Sequence, residues 1–107
     1  MVQPNPTAYS DFGSESNNSV LTPGSPGQLI GHRLKLDPAD LRQGVFFVAG
    51  DGSAVQVAMV MRNKPADLMF MVPDGLAAGE HSLEVRTAPT AESDLRTGRL
   101  RHTLIVI

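Results

Sequence analysis

The chain has 107 residues, with 9 Lys and Arg against 11 Asp and Glu, a formal net charge of −2, and neither cysteine nor tryptophan. A chain of that length suits one domain with its own core. The missing cysteines exclude a disulfide framework and a thiolate zinc site, and the slightly acidic balance excludes the overall basic field of an independent nucleic-acid binder.

Residues 1–18 hold Pro4, Pro6, Asn17, Asn18 and several serines, and only Tyr9 and Phe12 could anchor them by burial. They are expected to be a linker or extended N-terminal segment before a domain over 19–107, with further sequence upstream. The opening MVQPNPTAYSDFG has no basic start and no apolar h-region, so it reads as neither signal peptide nor anchor. No apolar run reaches the ~20 residues of a membrane span.

From Ser19 onward, short apolar runs alternate with turn residues. Val20-Leu21-Thr22 ends at Pro23-Gly24, and Gln28 to Leu36 follows as a strand with Ile30, Leu34 and Leu36 on one face and Arg33 and Lys35 on the other. Asp37-Pro38-Ala39-Asp40-Leu41 is at most a helical turn, with Asp37 placed to cap it. Gly44 to Ala49, built around Phe46-Phe47, reads as a central strand buried on both faces or at a sheet switch. Gly50-Asp51-Gly52 makes a tight hairpin turn, and Ala54 to Met61 returns with Val55, Val57, Met59 and Met61 alternating.

Asn63-Lys64-Pro65 breaks that strand, and Leu68, Phe70 and Val72 carry the next apolar face as far as Pro73, which cannot donate to a ladder. Leu83, Val85 and Thr87 then alternate with Ser82, Glu84 and Arg86. Ala88 to Ser93 reads as a polar loop. Gly98 to Ile107 is the last strand, and its apolar end is expected to be locked inside a sheet. About seven strands without a long amphipathic helix give an all-β fold, an immunoglobulin-like β-sandwich; lacking the cysteine pair and tryptophan, it is not of the antibody type.

Five strings carry a resemblance in one order: TPG at Thr22 to Gly24, LIGHRLKL at Leu29 to Leu36, GVFFV at Gly44 to Val48, NKPADLMFMVP at Asn63 to Pro73, and LAAGEHSLEVRT at Leu76 to Thr87. Together they resemble the immunoglobulin-like C-terminal domain, a domain of unknown function numbered 4469, found behind an HU-like DNA-binding domain in Bacteroidetes proteins. The pattern around Gly31 is also similar to the IPT/TIG sandwiches of transcription factors and cell surfaces. The first resemblance implies an appended module of a cytoplasmic, nucleoid-associated protein, whose DNA-binding domain would lie upstream. It transfers no catalytic, cofactor or metal-binding residue.

The residues themselves offer few sites. His32, His81 and His102 stand on separate strands without zinc spacing, so no metal site is expected. Asp11, Asp37, Asp40, Asp51, Asp67 and Asp74 nearly all adjoin Gly, Pro or a strand start, which capping and turn formation explain. No nucleophile has a base and an orienting partner, so catalytic residues and cofactors are expected to be absent. Arg86, Arg96, Arg99 and Arg101 form the densest basic group, able to hold DNA phosphates as one patch or to be a solvated strand face diluted by Glu84, Glu92 and Asp94. Met59, Met61, Met69 and Met71 are core filling unless a pair turns outward, in which case they form a soft surface for protein contact.

The expected function is therefore a non-enzymatic accessory domain acting by protein contact or self-association, with no membrane or small-molecule substrate and no strong DNA binding of its own. The alternative is an extracellular or periplasmic adhesion or carbohydrate-binding module. A chain with Tyr9 as its one tyrosine and no tryptophan has few stacking platforms for sugars.

Overall fold

The computed structural model describes residues 3–88 and 94–106. These form strands β1 (Asn5–Asp11), β2 (Ser16–Asn17), β3 (Val20–Leu21), β4 (Pro26–His32), β5 (Gly44–Ala49), β6 (Ala54–Gln56), β7 (Val60–Lys64), β8 (Asp67–Met71), β9 (Gly79–Thr87), β10 (Arg96–Arg99) and β11 (Leu104–Val106). One sheet runs β2-β1-β4-β8-β7, and the other runs β3-β11-β9-β5-β6, with β10 also on β9. The β11–β3 pair is parallel. Among the described residues no helix is long and apolar enough to cross a membrane.

The immunoglobulin-like sandwich expected from the sequence is thus the fold. Its core lies between the sheets, where Leu29, Leu68 and Phe70 of the first face Val45, Phe47, Leu83, Val85 and Leu104 of the second. The hairpin at Gly50-Asp51-Gly52 closes as expected, with Phe47 opposite Val55 and Gly52 at a φ of 89°. Strand β11 sits between β9 and β3, so the apolar C-terminal run is held inside a sheet. Asp37 to Gln43 is a turn segment in which Asp37 accepts from the Ala39 amide at 3.0 Å. The loop expected at Ala88 to Ser93 lies mostly outside the described residues.

Four expectations need correction. Within the expected 1–18 segment, the described residues 3–18 are not merely a linker before the domain: β1 pairs with β4 from Asn5–His32 to Asp11–Gly27, and Tyr9 is wholly buried against Phe70, ring centroids 6.1 Å apart. Asp11, also buried, accepts from the Tyr9 hydroxyl at 3.3 Å, the Ser14 amide at 3.2 Å and the Thr22 amide at 3.1 Å, which ties this segment to β3. Burial and the adjacent Asp11 push the Tyr9 hydroxyl pKa well up. Pro and Ser content suggested disorder, but one buried aromatic and one buried carboxylate hub outweigh it.

Gln28 to Leu36 is not one face-alternating strand. β4 ends at His32, and Arg33 takes a left-handed φ of 57°. That break shifts the phase, so Leu29 points into the core, Ile30 points out, and Leu34 and Leu36 return inward. Ala54 to Met61 likewise crosses from one sheet to the other: β6 pairs with β5, and β7 pairs with β8 with an irregularity at Met61. Gly98 to Ile107 is divided too, since β10 and β11 occupy successive stretches of the same flank of β9. These divisions, with β1 and β2, turn about seven expected strands into eleven shorter ones among the described residues.

Candidate functional site

The arginine group is distributed over three places. On the outward face of the second sheet, Glu84 lies between Arg86 and Arg99, accepting from Arg86 Nη2 at 3.0 Å and from Arg99 Nη2 at 2.9 Å. The Arg86 guanidinium also stands 4.0 Å above the Phe46 ring, a cation–π contact that covers the outer side of β5. Burial pushes the Glu84 carboxyl pKa up, but the hydrogen bonds from Arg99 and Arg86 outweigh it and the net direction is down. One buried carboxylate therefore offsets part of the positive charge that the sequence places here.

Arg96 lies on the other parity of β10, opposite Thr87, and lines a cleft with Arg33 and Lys35. Arg101 is exposed on the turn between β10 and β11. The β9–β10 register brings Arg99 to Glu84, and only the Glu84–Arg86 spacing was visible in the sequence. Arg33 and Lys35, expected on the face of a continuous strand opposite Ile30, Leu34 and Leu36, meet Arg96 in this cleft beyond the turn at Arg33.

The histidines remain apart. His32 is exposed at the end of β4, and His102 lies on the β10–β11 turn. His81 is buried with Nε2 2.8 Å from the Ala77 carbonyl, while its Nδ1 is buried without a partner. Among the described residues no group of three or more His, Cys, Asp or Glu is placed to hold a metal ion. Tyr9 is wholly buried and so offers no stacking surface for a sugar.

An apolar groove lies at the open flank where β6 and β7 part. It has a volume of about 530 Å³ and is lined by Leu36, Pro38, Leu41, Val57, Met59 and Val60. Leu41 is 82% exposed, Met59 57%, Met61 48% and Val55 39%. Met69 and Met71 are half-buried on the outward face of β8, alongside β7. All four methionines thus lie outside the buried core, in the outward arrangement that makes a soft contact surface.

The loop presenting Leu41 is held in shape. Arg42 donates from Nε to Asp40 Oδ1 at 3.1 Å and from Nη2 to Asp40 Oδ2 at 2.7 Å, and this fork holds the Asp40 carboxyl well below the usual carboxylate range. Gln43 Oε1 accepts from the Asp37 amide at 2.9 Å, and the Gln43 amide donates to the Asp40 carbonyl at 2.9 Å. Sequence reading overlooked Leu41; its signal was a large aliphatic residue within the polar turn Asp37 to Arg42.

The family model described as a domain of unknown function (DUF4469) with IG-like fold matches residues 7–100. The chain belongs to this family. No curated protein matches the chain. Among solved structures, the DUF4469 chain is similar to a candidate bacterial DNA-binding protein from Bacteroides vulgatus ATCC 8482, with a TM-score of 0.78 and 22% identity, over 94% of this chain and 45% of that one. At that identity the likeness speaks for the fold, and the DUF4469 chain spans less than half of the neighbour.

The DUF4469 sandwich guards its edges unequally. β2 and β3 have two residues each, and β1 beyond β2 has Pro6 and a register shift. β10 carries Arg96 and Arg99, and β7 carries its irregularity at Met61 with Arg62 and Lys64. Short length, charge, proline and bulges all blunt an edge. β6, Ala-Val-Gln, has no charge, proline or bulge, and its three residues are exposed. The ladder extends past both of its ends, from the Ala49 amide to Ser53 O at 2.8 Å and from the Val57 amide to Val45 O at 2.9 Å. By antiparallel alternation, the backbone groups of Ala54 and Gln56 face away from β5.

Proposed function

We propose that this DUF4469 domain is a non-enzymatic accessory module of a cytoplasmic, nucleoid-associated DNA-binding protein, and that its contact is self-association through the β6 edge. The uncharged edge supports this most directly. Ala54 and Gln56 offer outward backbone donors and acceptors, and Leu41, Val55 and Met59 supply apolar surface beside them. A second copy is the occupant that best fits an uncharged strand, since two copies of Ala54–Gln56 can pair antiparallel about a two-fold axis with no like-charge clash. The family context and the similarity to a candidate DNA-binding protein support the setting.

Sedimentation velocity over a range of concentrations tests the reading. The expected result is a monomer–dimer equilibrium that Ala54→Lys, a charge on the exposed edge, moves to monomer while the circular dichroism spectrum is kept. Ala54→Pro should do the same, because the amide it removes faces away from β5. A wild-type chain that stays monomeric at about 1 mM, the affinity scale of the weakest specific contacts, would contradict the proposal.

A further inference from the structure

We propose that the cleft at the Pro4 end of the sandwich binds a phosphate group through Arg33 and Lys35. The cleft has a volume of about 310 Å³ and is lined by Pro4, Arg33, Lys35, Pro65, Thr87 and Arg96, with no carboxylate among the described lining residues. Arg33 and Lys35 bring two cationic side chains, neither with a carboxylate partner among the described residues, to one concavity on a chain whose formal net charge is −2.

The backbone places these charges deliberately. Arg33 is a non-glycine residue at a φ of 57°, a conformation that persists only where its surroundings impose it. Those surroundings are the amide of Leu34 donating to Pro65 O at 2.9 Å and the amide of Gly31 donating to Ala66 O at 3.2 Å. The turn buries Leu34 and leaves Arg33 and Lys35 exposed on either side of it.

Arg33 is also partly oriented. Its Nε donates to Gln3 O at 3.2 Å, and its two terminal amino groups have no hydrogen-bond or ion-pair partner among the described residues. Lys35 has no such partner either. A guanidinium fixed at Nε presents its remaining N–H groups as donors to a phosphate oxygen, and an ammonium adds a second point charge. Arg86 and Arg99 differ in having Glu84 between them.

A DNA backbone phosphate and a free phosphate share this chemistry, and two titrations separate them. In ¹⁵N-edited NMR of the chain, one arm uses a short DNA duplex and the other inorganic phosphate, both at low salt. The expected result is saturable shifts confined to the backbone around residues 31–36, 87 and 96. The double variant R33Q/K35Q should weaken them at least ~tenfold, as loss of charge-assisted hydrogen bonds implies. R99Q should leave them intact.

Stronger binding of duplex than of inorganic phosphate assigns the cleft to DNA backbone, and the reverse assigns it to a small phosphorylated ligand. Both outcomes support a phosphate site. No shift with either probe, or shifts undiminished in R33Q/K35Q, would overturn it. Because self-association is read from β6, its failure and the failure of this cleft are separate results.

Discussion

Replacing Tyr9 by alanine should remove a large part of the stability of the domain, although a linker reading of residues 1–18 would make the change silent. Tyr9 is wholly buried, stacks on Phe70 at 6.1 Å and donates to Asp11 at 3.3 Å. Emptying a buried aromatic site costs about 3–5 kcal/mol, and the lost hydrogen bond adds about 1 kcal/mol. Against a total stability of roughly 5–15 kcal/mol, Tyr9→Ala should lower the urea midpoint by about 2 M. Tyr9→Phe keeps the ring and should cost only about 1 kcal/mol. Phe12→Ala, at a residue 42% exposed, should cost about 0.5 kcal/mol or less. Urea denaturation followed by circular dichroism reads all three. A Tyr9→Ala chain within about 1 kcal/mol of wild type would refute the assignment of β1 to the core.

Gly98→Ala should destabilise by about 1–3 kcal/mol in the same assay, because a methyl there collides with the Pro4 carbonyl, whereas Gly50→Ala, with open space around it, should be nearly neutral. For Glu84, burial raises the native pKa but the Arg99 and Arg86 hydrogen bonds bring it below the ordinary 4.5, so its contribution is full above pH 4.5 and fades as pH falls through the lower native value. Glu84→Gln should therefore flatten the fall of melting temperature below pH 4.5, and an unchanged acid limb would count against the pairing. Duplex DNA should bind the isolated chain no more tightly than ~10⁻⁴ M at physiological salt in a fluorescence titration. Micromolar affinity lost in Arg99→Ala with Arg101→Ala would instead make the arginine group a DNA site.

Period-two alternation at Leu68, Phe70 and Val72 and at Leu83, Val85 and Thr87 was enough to locate central strands, because burial on one face imposes that pattern directly. Gly50 and Gly52 located the hairpin for a similarly local reason. What the sequence hid was non-local. Alternation from Val55 to Met61 survives a change of sheet, since the chain stays extended while its partner changes from β5 to β8. The left-handed residue at Arg33 leaves no compositional mark, yet it reverses which of Leu29 and Ile30 enters the core. The site features follow the same rule: the spacing of Glu84 and Arg86 could be read, but the arrival of Arg99 beside them and of Arg96 beside Arg33 depends on strand register.

Cysteine crosslinking at the β6 edge tests self-association most directly, and a chain without cysteine makes any introduced thiol unique. If two β6 strands pair antiparallel about Val55, with the outward groups of Ala54 and Gln56 forming the bonds, the two Val55 residues face each other in a non-hydrogen-bonded pair about 4.5 Å apart at Cα. That separation lies within the range a disulfide spans. Under mild oxidation, Val55→Cys should give a covalent dimer whose yield falls when Ala54→Lys is added. Thr97→Cys, exposed on β10 away from this edge, should stay monomeric. Equal crosslinking at positions 55 and 97, or none at 55, would contradict pairing through β6.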